Sequence, residues 1–328
     1  MVFVYLFIVL LQAICLTGKL NNKIKMRIGL YDVDSKMPNL ALMKLAAYHK
    51  SLGDNVEFYC PIFKNTYDKI YASKIFTYSD KSNIFDDMII GGSGWDLSVK
   101  LSDEMEHIMP DYKLYNMNYS LGYTTRGCFR NCEFCLVPKK EGKLKYNTDI
   151  YEFWGGHKNI ILLDNNIFGL KGHFEKIAEQ ILKEDLRVDF NQGLDIRLLT
   201  DNKAKILKKL KPLKQWRFAF DSLKYENKFR KGAEIIIKNK ISKSLICVYV
   251  LAGFDESFED TLKRINIIYK EYGFDPFVMV YRDKKGNYNH KFKVLKKWGR
   301  DFKDLARYVN HKAIFKSIDY KDYIQCSR

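Results

Sequence analysis

Thr124-Thr125-Arg126-Gly127-Cys128-Phe129-Arg130-Asn131-Cys132-Glu133-Phe134-Cys135-Leu136-Val137-Pro138 carries three of the chain's seven cysteines within eight residues, spaced C-x3-C-x2-C. The apolar run Leu121–Thr125 just before it predicts a strand that delivers the cysteines into a loop. Three thiols this close cannot all pair as disulfides, but they can wrap one soft metal centre. Zinc is one candidate. A structural zinc site takes four ligands, and the nearest downstream histidine is His157, so the fourth would come from a distant part of the chain. A 4Fe–4S cluster on three cysteines is another, and it leaves one iron open to a small molecule. Inert buried cysteines are the bland alternative. Three in one loop, beside Arg126 and Arg130, argue against it.

Outward from this loop, strands and helices alternate. Asn159–Asp164, Arg187–Asn191, Arg217–Asp221, Ile246–Gly253 and Phe277–Arg282 read as strands. Phe174–Leu182, Lys203–Leu210, Lys228–Asn239 and Phe258–Tyr272 read as the helices between them. Together with Leu121–Thr125 they predict six strands of a partial (β/α)6 barrel over residues 116–285, with chemistry at the C-terminal strand ends. Upstream, the strands Arg27–Asp32, Val56–Tyr59, Tyr67–Ser73 and Met88–Ile90 and the helix Asn39–Ser51 predict a Rossmann-like domain over residues 26–115. Residues 286–328 form a basic extension with a helix at Phe302–Val309. The expected fold class is therefore α/β: a Rossmann-like domain, a partial barrel and a short helical tail.

At this point the loop resembles the signature of the radical S-adenosylmethionine (SAM) superfamily, C-x3-C-x2-C with an aromatic, here Phe134, before the third cysteine. The flanks Arg126-Gly127 and Leu136-Val137-Pro138 look most like the branch with an N-terminal cobalamin-binding-like domain, and like methylthiotransferases. The resemblance implies that Cys128, Cys132 and Cys135 hold a 4Fe–4S cluster and that SAM chelates the fourth iron. It implies cleavage of SAM to methionine and a 5′-deoxyadenosyl radical that takes hydrogen from a substrate. It also implies an external reductant such as flavodoxin or ferredoxin, and a reducing, cytoplasmic setting. The substrate is not implied.

The same resemblance assigns further positions. The backbone near Phe134 would meet the adenine. Asp164, Asn165 and Asn166, where the family has Gly-Gly-Glu, would accept from the SAM ammonium. Gln192 sits at the third strand end. Arg197 either pairs with the SAM carboxylate or makes a salt bridge to Asp195 or Asp201. Asp221 and Ser222 lie where ribose or substrate would be. Gly253 would let backbone approach adenine closely. Glu256 and Ser257 read as caps of the next helix instead, because Ser257-x-x-Asp260 precedes an apolar run. Cys247, in an apolar strand, reads as a core residue.

Cobalamin is not expected. The loop Asp32-Val33-Asp34-Ser35-Lys36-Met37-Pro38-Asn39 contains no histidine, whereas the cobalamin signature is Asp-x-His-x-x-Gly. His49 reads as a surface or helix-terminal residue. Gly91-Gly92-Ser93-Gly94 resembles a glycine turn that admits a nucleotide tail. Methylthiotransfer needs a second three-cysteine set in the first domain, which offers only Cys60.

Composition excludes other classes. With 328 residues and 47% hydrophobic side chains the chain can bury a large core, so disordered and collagen-like classes fall away. The formal charge of +17 invites nucleic acid as a partner. Lys outnumbers Arg 44 to 12, however, and Ile, Asn and Tyr abound, as A/T-rich coding would produce. Lys203–Lys214 reads as a solvated helix face. Arg282–Arg300, interleaved with Tyr288, Phe292 and Trp298, keeps nucleic acid open. A zinc-stabilised nucleic-acid-binding protein is thus the rival function. Residues 1–25 begin with an apolar run lacking a basic start and too short to span a bilayer comfortably. They read as a start assigned too early, with Met26 as the natural beginning and no stable membrane association.

Overall fold

β1 (Arg27–Asp32) alternates so that Ile28 and Leu30 are fully buried. In the computed structural model, which describes residues 25–287, 302–320 and 322–323, it is the centre of the first of three parallel sheets in a mixed α/β protein. Parallel neighbours need a crossover, and α1 (Leu40–Ser51) provides it between β1 and β2 (Asn55–Phe58). Asn39 caps α1, accepting from the Leu42 amide at 3.3 Å. β3 (Lys69–Ser73) and β4 (Ile89–Gly91) follow on the other side of β1, giving the order β2-β1-β3-β4. The short α2 (Asp103–Glu106) leads out of this sheet.

The remaining strands carry the larger core. β5 (Ser120–Gly122) is followed by β6 (Thr125–Arg126), α3 (Val137–Lys140) and β7 (Lys145–Tyr146). Then come β8 (Asn159–Leu162), α4 (His173–Lys183), β9 (Arg187–Phe190), α5 (Asp201–Lys209) and β10 (Lys211–Pro212). β11 (Trp216–Ala219), α6 (Glu226–Lys238), β12 (Ile246–Ala252), α7 (Phe258–Asn266) and β13 (Asp275–Val280) complete the alternation. α8 (Phe302–Asn310) and α9 (Lys312–Ser317) end the described chain. One parallel sheet runs β10-β9-β8-β5 and another β11-β12-β13, with a parallel bridge between Leu194 and Phe218 linking them.

Alternation explains the packing. Ile160, Leu162, Val188, Phe190, Trp216, Phe218, Val248 and Val250 face one way and bury against Phe174, Ile177, Ala204, Leu207, Phe229 and Ile236 of the helices. Burying each large apolar side chain contributes about 1.5–3 kcal/mol. The opposite face holds Asp189, Arg217, Cys247, Tyr249 and Phe277. There, Leu121 and Ile161 pack against Leu40 and Met43 of α1, tying the first sheet to the second.

Several expectations shift. The strand predicted over Leu121–Thr125 stops at Gly122, where a Cβ would lie 2.4 Å from the Phe153 ring. Thr125 and Arg126 leave to pair antiparallel with Tyr146 and Lys145. The Lys203–Lys214 stretch is not one helix face, since Lys211 and Pro212 pair with Arg187 and Val188 as an edge strand. The helix predicted to Tyr272 changes at Ile267 into a wider π turn. His49 is helix-terminal, as one of its two expected readings had it, but not on the surface: it sits in the last turn of α1 and is only 2% exposed. Its Nδ1 lies 2.7 Å from Asp54 and its Nε2 3.1 Å from the Tyr71 hydroxyl. Cys247 is buried and Ser257–Asp260 form a full capping box, as expected. The leader through residue 24, most of the basic Arg282–Arg300 stretch and Cys326 lie outside the described residues. Among the described residues no helix is long and apolar enough to cross a membrane.

Candidate metal centre

The cysteine loop leaves the C-terminal end of β5 and is closed at its neck by the β6–β7 ribbon. Gly127 is required there. Its φ is +79°, and a Cβ would lie 2.4 Å from the Lys143 carbonyl oxygen. The Cys128 amide donates to the Gly142 carbonyl at 3.2 Å, and the Gly127 amide donates to Glu141 Oε2 at 3.0 Å. Beyond the cysteines, Pro138 opens the short α3, where its missing N–H has no cost.

Each thiol has a hydrogen-bond donor or a cation beside it. Cys128 Sγ accepts from the Arg130 amide at 3.3 Å and from Asn166 Nδ2 at 3.8 Å. Burial pushes the Cys135 thiol up, opposed by a hydrogen bond from the Val137 amide. Burial also pushes the Cys132 thiol up, opposed by the positive charge of Arg197. Cys128 raises the thiols of Cys132 and Cys135, and Cys135 raises that of Cys132, as thiols sharing one small region do. All three are free and half-buried.

Arginines and one carboxylate frame the loop. Asp195 accepts from Arg130 Nε at 2.9 Å, from Arg197 Nε at 2.7 Å and from Arg197 Nη2 at 3.1 Å. Burial alone would raise the Asp195 carboxyl, but the two guanidinium groups hold it below the usual carboxylate range. Arg126 pairs with Glu106 and, at 3.4 Å, with Glu141, and Lys44 of α1 reaches the same Glu106 at 3.3 Å. An ion chain therefore connects the first sheet's helix to the loop. Lys140 also donates to Ser93 at 2.6 Å, bringing α3 against the glycine turn after β4.

The residues singled out from the sequence fall into two groups. Asn166, Arg197 and Asp221 gather around the cysteines. Asp221 is within electrostatic reach of Cys132 and Cys135, and burial pushes its carboxyl up to about 6. Phe134 lies edge-on to Phe254 at 5.5 Å, and Phe254 meets Tyr281 at 4.9 Å, so an aromatic row borders the third cysteine. Asp164 is spent on Thr124 and Thr125, and Asn165 donates to Glu141 at 3.0 Å. Gln192 is exposed and touches Asn191. Ser222 caps a turn at the Lys224 amide. Gly253, with φ +77°, makes room for the Phe302 ring, 2.9 Å from where its Cβ would be. Arg197 forms the expected salt bridge to Asp195.

Glu141, Thr124, Thr125 and His173 have no spacing signal, nor does the pairing of Arg130 with Asp195, because the partners lie 14 to 65 residues apart. The glycine turn Gly91-Gly92-Ser93-Gly94 packs on its own chain. A Cβ on Gly92 would lie 2.2 Å from the Lys74 carbonyl oxygen, and one on Gly94 would lie 2.4 Å from the Phe76 backbone.

Among the described residues, no three His, Cys, Asp or Glu side chains are placed as the shell of a single metal ion. A cluster instead spreads its thiolates over separate irons, so the relevant test is the donor set. Three free thiols in one loop, each with an N–H or a cation beside it, match what tunes such a centre.

No protein-family model matches the sequence, and no curated protein matches it. Three chains of solved structures match. One is the crystal structure of methylornithine synthase (PylB), aligned over 60% of this chain and 62% of that chain, with a TM-score of 0.41 and 11% identity. This chain thus spans less than two thirds of that structure, and the likeness carries nothing about the site.

Proposed function

We propose that the chain is a radical SAM enzyme in which Cys128, Cys132 and Cys135 hold a 4Fe–4S cluster. The observation that carries this reading is the three-thiol loop at a parallel strand end, with the Arg130 and Val137 amides and Asn166 donating to its sulfurs and the Arg197 charge near Cys132. When bound, such a cluster supplies the electron that cleaves S-adenosylmethionine to methionine and a 5′-deoxyadenosyl radical, which takes hydrogen from a substrate. The chain's own residues hold the thiols, orient them and shield them. Asn166 and the Arg130 amide spread charge from Cys128. Arg197, anchored by Asp195, places a cation beside Cys132. Phe134, Phe254 and Tyr281 supply flat apolar surface next to Cys135.

In this reading β5, β8, β9, β11, β12 and β13 are the six strands of a partial (β/α)6 barrel spanning residues 116–285. Residues 26–115 are a Rossmann-like companion domain and residues 286–328 a basic tail. No corrinoid is assigned to the first domain. The electron comes from a small reductant, flavodoxin or ferredoxin, and the enzyme works in the reducing cytoplasm. The test is anaerobic purification. Brown protein with about four iron per chain, forming 5′-deoxyadenosine from SAM and dithionite, is the expected result. Colourless protein with one zinc and no SAM cleavage ends the reading and favours the nucleic-acid-binding alternative.

A further inference from the structure

We infer that Asp164-Asn165-Asn166 is a three-point clamp on the cysteine loop, with Asp164 and Asn166 as positioning residues for Cys128, and that Asp164 does not contact a ligand. The inference deepens the proposed function and rests on it for its purpose, though not for its geometry.

Asp164 lies just past β8 and is 4% exposed. Its Oδ1 accepts from the Thr124 amide at 3.1 Å, the Thr124 hydroxyl at 2.7 Å, the Thr125 amide at 2.5 Å and the Thr125 hydroxyl at 2.6 Å. Its Oδ2 accepts from the Thr124 amide at 3.2 Å. Four donor groups converge on one oxygen of this buried carboxylate, and the other oxygen shares only the Thr124 amide. Almost no exposed surface remains through which a ligand's ammonium could reach it. The donors belong to the residues that lead directly into Arg126-Gly127-Cys128, so the carboxylate fixes where the loop begins.

The network extends to His173. Thr124 has one hydroxyl proton and gives it to Asp164, so His173 Nε2, 2.9 Å from the Thr124 oxygen, carries a proton and donates. Asn165 grips the neck. Its Nδ2 donates to Glu141 Oε2, which also takes the Gly127 amide, both at 3.0 Å. Asn166 grips the first thiol, donating to Cys128 Sγ at 3.8 Å and to Asp195 Oδ2 at 3.3 Å. Strand geometry would send neighbouring side chains to opposite faces. The strand has ended at Leu162 and the chain bends at Asn165, so the alternation no longer holds and three consecutive side chains reach one loop.

Alkylation of the metal-free, reduced full-length chain by iodoacetamide, followed cysteine by cysteine by mass spectrometry, tests this. Asp164→Asn and the pair Thr124→Val with Thr125→Val should raise the Cys128 rate relative to Cys60 by ~10-fold, the effect of losing a buried charge-assisted hydrogen bond. Thr124→Ser with Thr125→Ser keeps both hydroxyls and should behave as wild type. Cys247, buried in β12, reports whether the fold is intact. An unchanged Cys128 rate with Cys247 still protected overturns the clamp, as does weakened SAM binding in Asp164→Asn without a change at Cys128. If Asp164→Asn also exposes Cys247, Asn166→Leu decides, because it leaves the threonine network alone; an unchanged Cys128 rate there overturns the inference. The iron and 5′-deoxyadenosine assays on wild type judge the radical SAM reading separately.

Discussion

The chain has two parallel strand ends that look alike in sequence and are used differently. At the end of β1 and β3, Asp34 takes the Ile75 amide at 2.7 Å and the Phe76 amide at 2.9 Å. Asp32 takes the Tyr115 hydroxyl at 2.5 Å and the Ser35 amide at 3.0 Å. The glycine turn after β4 lies against the backbone of Lys74 and Phe76. This edge closes on itself. At the end of β5 and β8 the carboxylates and amides also hold backbone, but the backbone they hold presents three free thiols. A polar strand end is therefore not a site by itself. What matters is whether reactive atoms remain once the chain's own groups are paired.

Removing a thiol should separate the two ends most sharply. Cys132→Ala should abolish cluster binding and SAM cleavage while leaving the circular dichroism of the fold unchanged; retained iron would show that the second edge does not depend on its thiols. Next, Gly92→Ala should destabilise the first edge by roughly 2–5 kcal/mol, because φ is +104° and the Cβ meets backbone. Urea unfolding should show this loss with iron content per folded chain unchanged.

Titration gives a smaller effect, at the second edge. Burial lowers the pKa of His173 from 6.5 to about 4. Below pH 6.5 the unfolded chain takes up a proton that the folded chain refuses. Stability present above pH 6.5 is therefore lost as pH falls toward 4, by at most ~3 kcal/mol. Asp221 acts in the opposite sense. Burial raises its carboxyl from 3.8 to about 6, so the folded state binds the proton first and gains stability as pH falls through that window. His173→Gln should flatten the acid limb of a plot of urea midpoint against pH, and Asp221→Asn should steepen it. The smallest effect is a baseline away from both edges. Ser257→Ala should cost ~1 kcal/mol through the lost cap, with SAM cleavage intact.

Much of the fold was legible in the sequence. Apolar alternation and Ser257-x-x-Asp260 are local patterns, and a strand or a cap needs nothing from afar to declare itself. Errors fell where tertiary contacts override local preference. Lys211 and Pro212 extend because β9 offers an edge. His49, polar and near a helix end, is buried because Asp54 and Tyr71 meet it from elsewhere. Gly253 lies against the ring of Phe302, a residue 49 positions later, which no local pattern announces.

The sequence by itself determined the three thiols, their spacing and the strand that leads to them, since these depend on residues within one short stretch. The tertiary structure alone decided what surrounds them. Asp164 reaches back 40 residues to Thr124, and Arg130 reaches forward 65 to Asp195. Spacing along the chain cannot specify such pairs, because they exist only once the parallel strands bring their ends together. An acidic or amide side chain at a strand end has too many partners open to it until packing leaves it one.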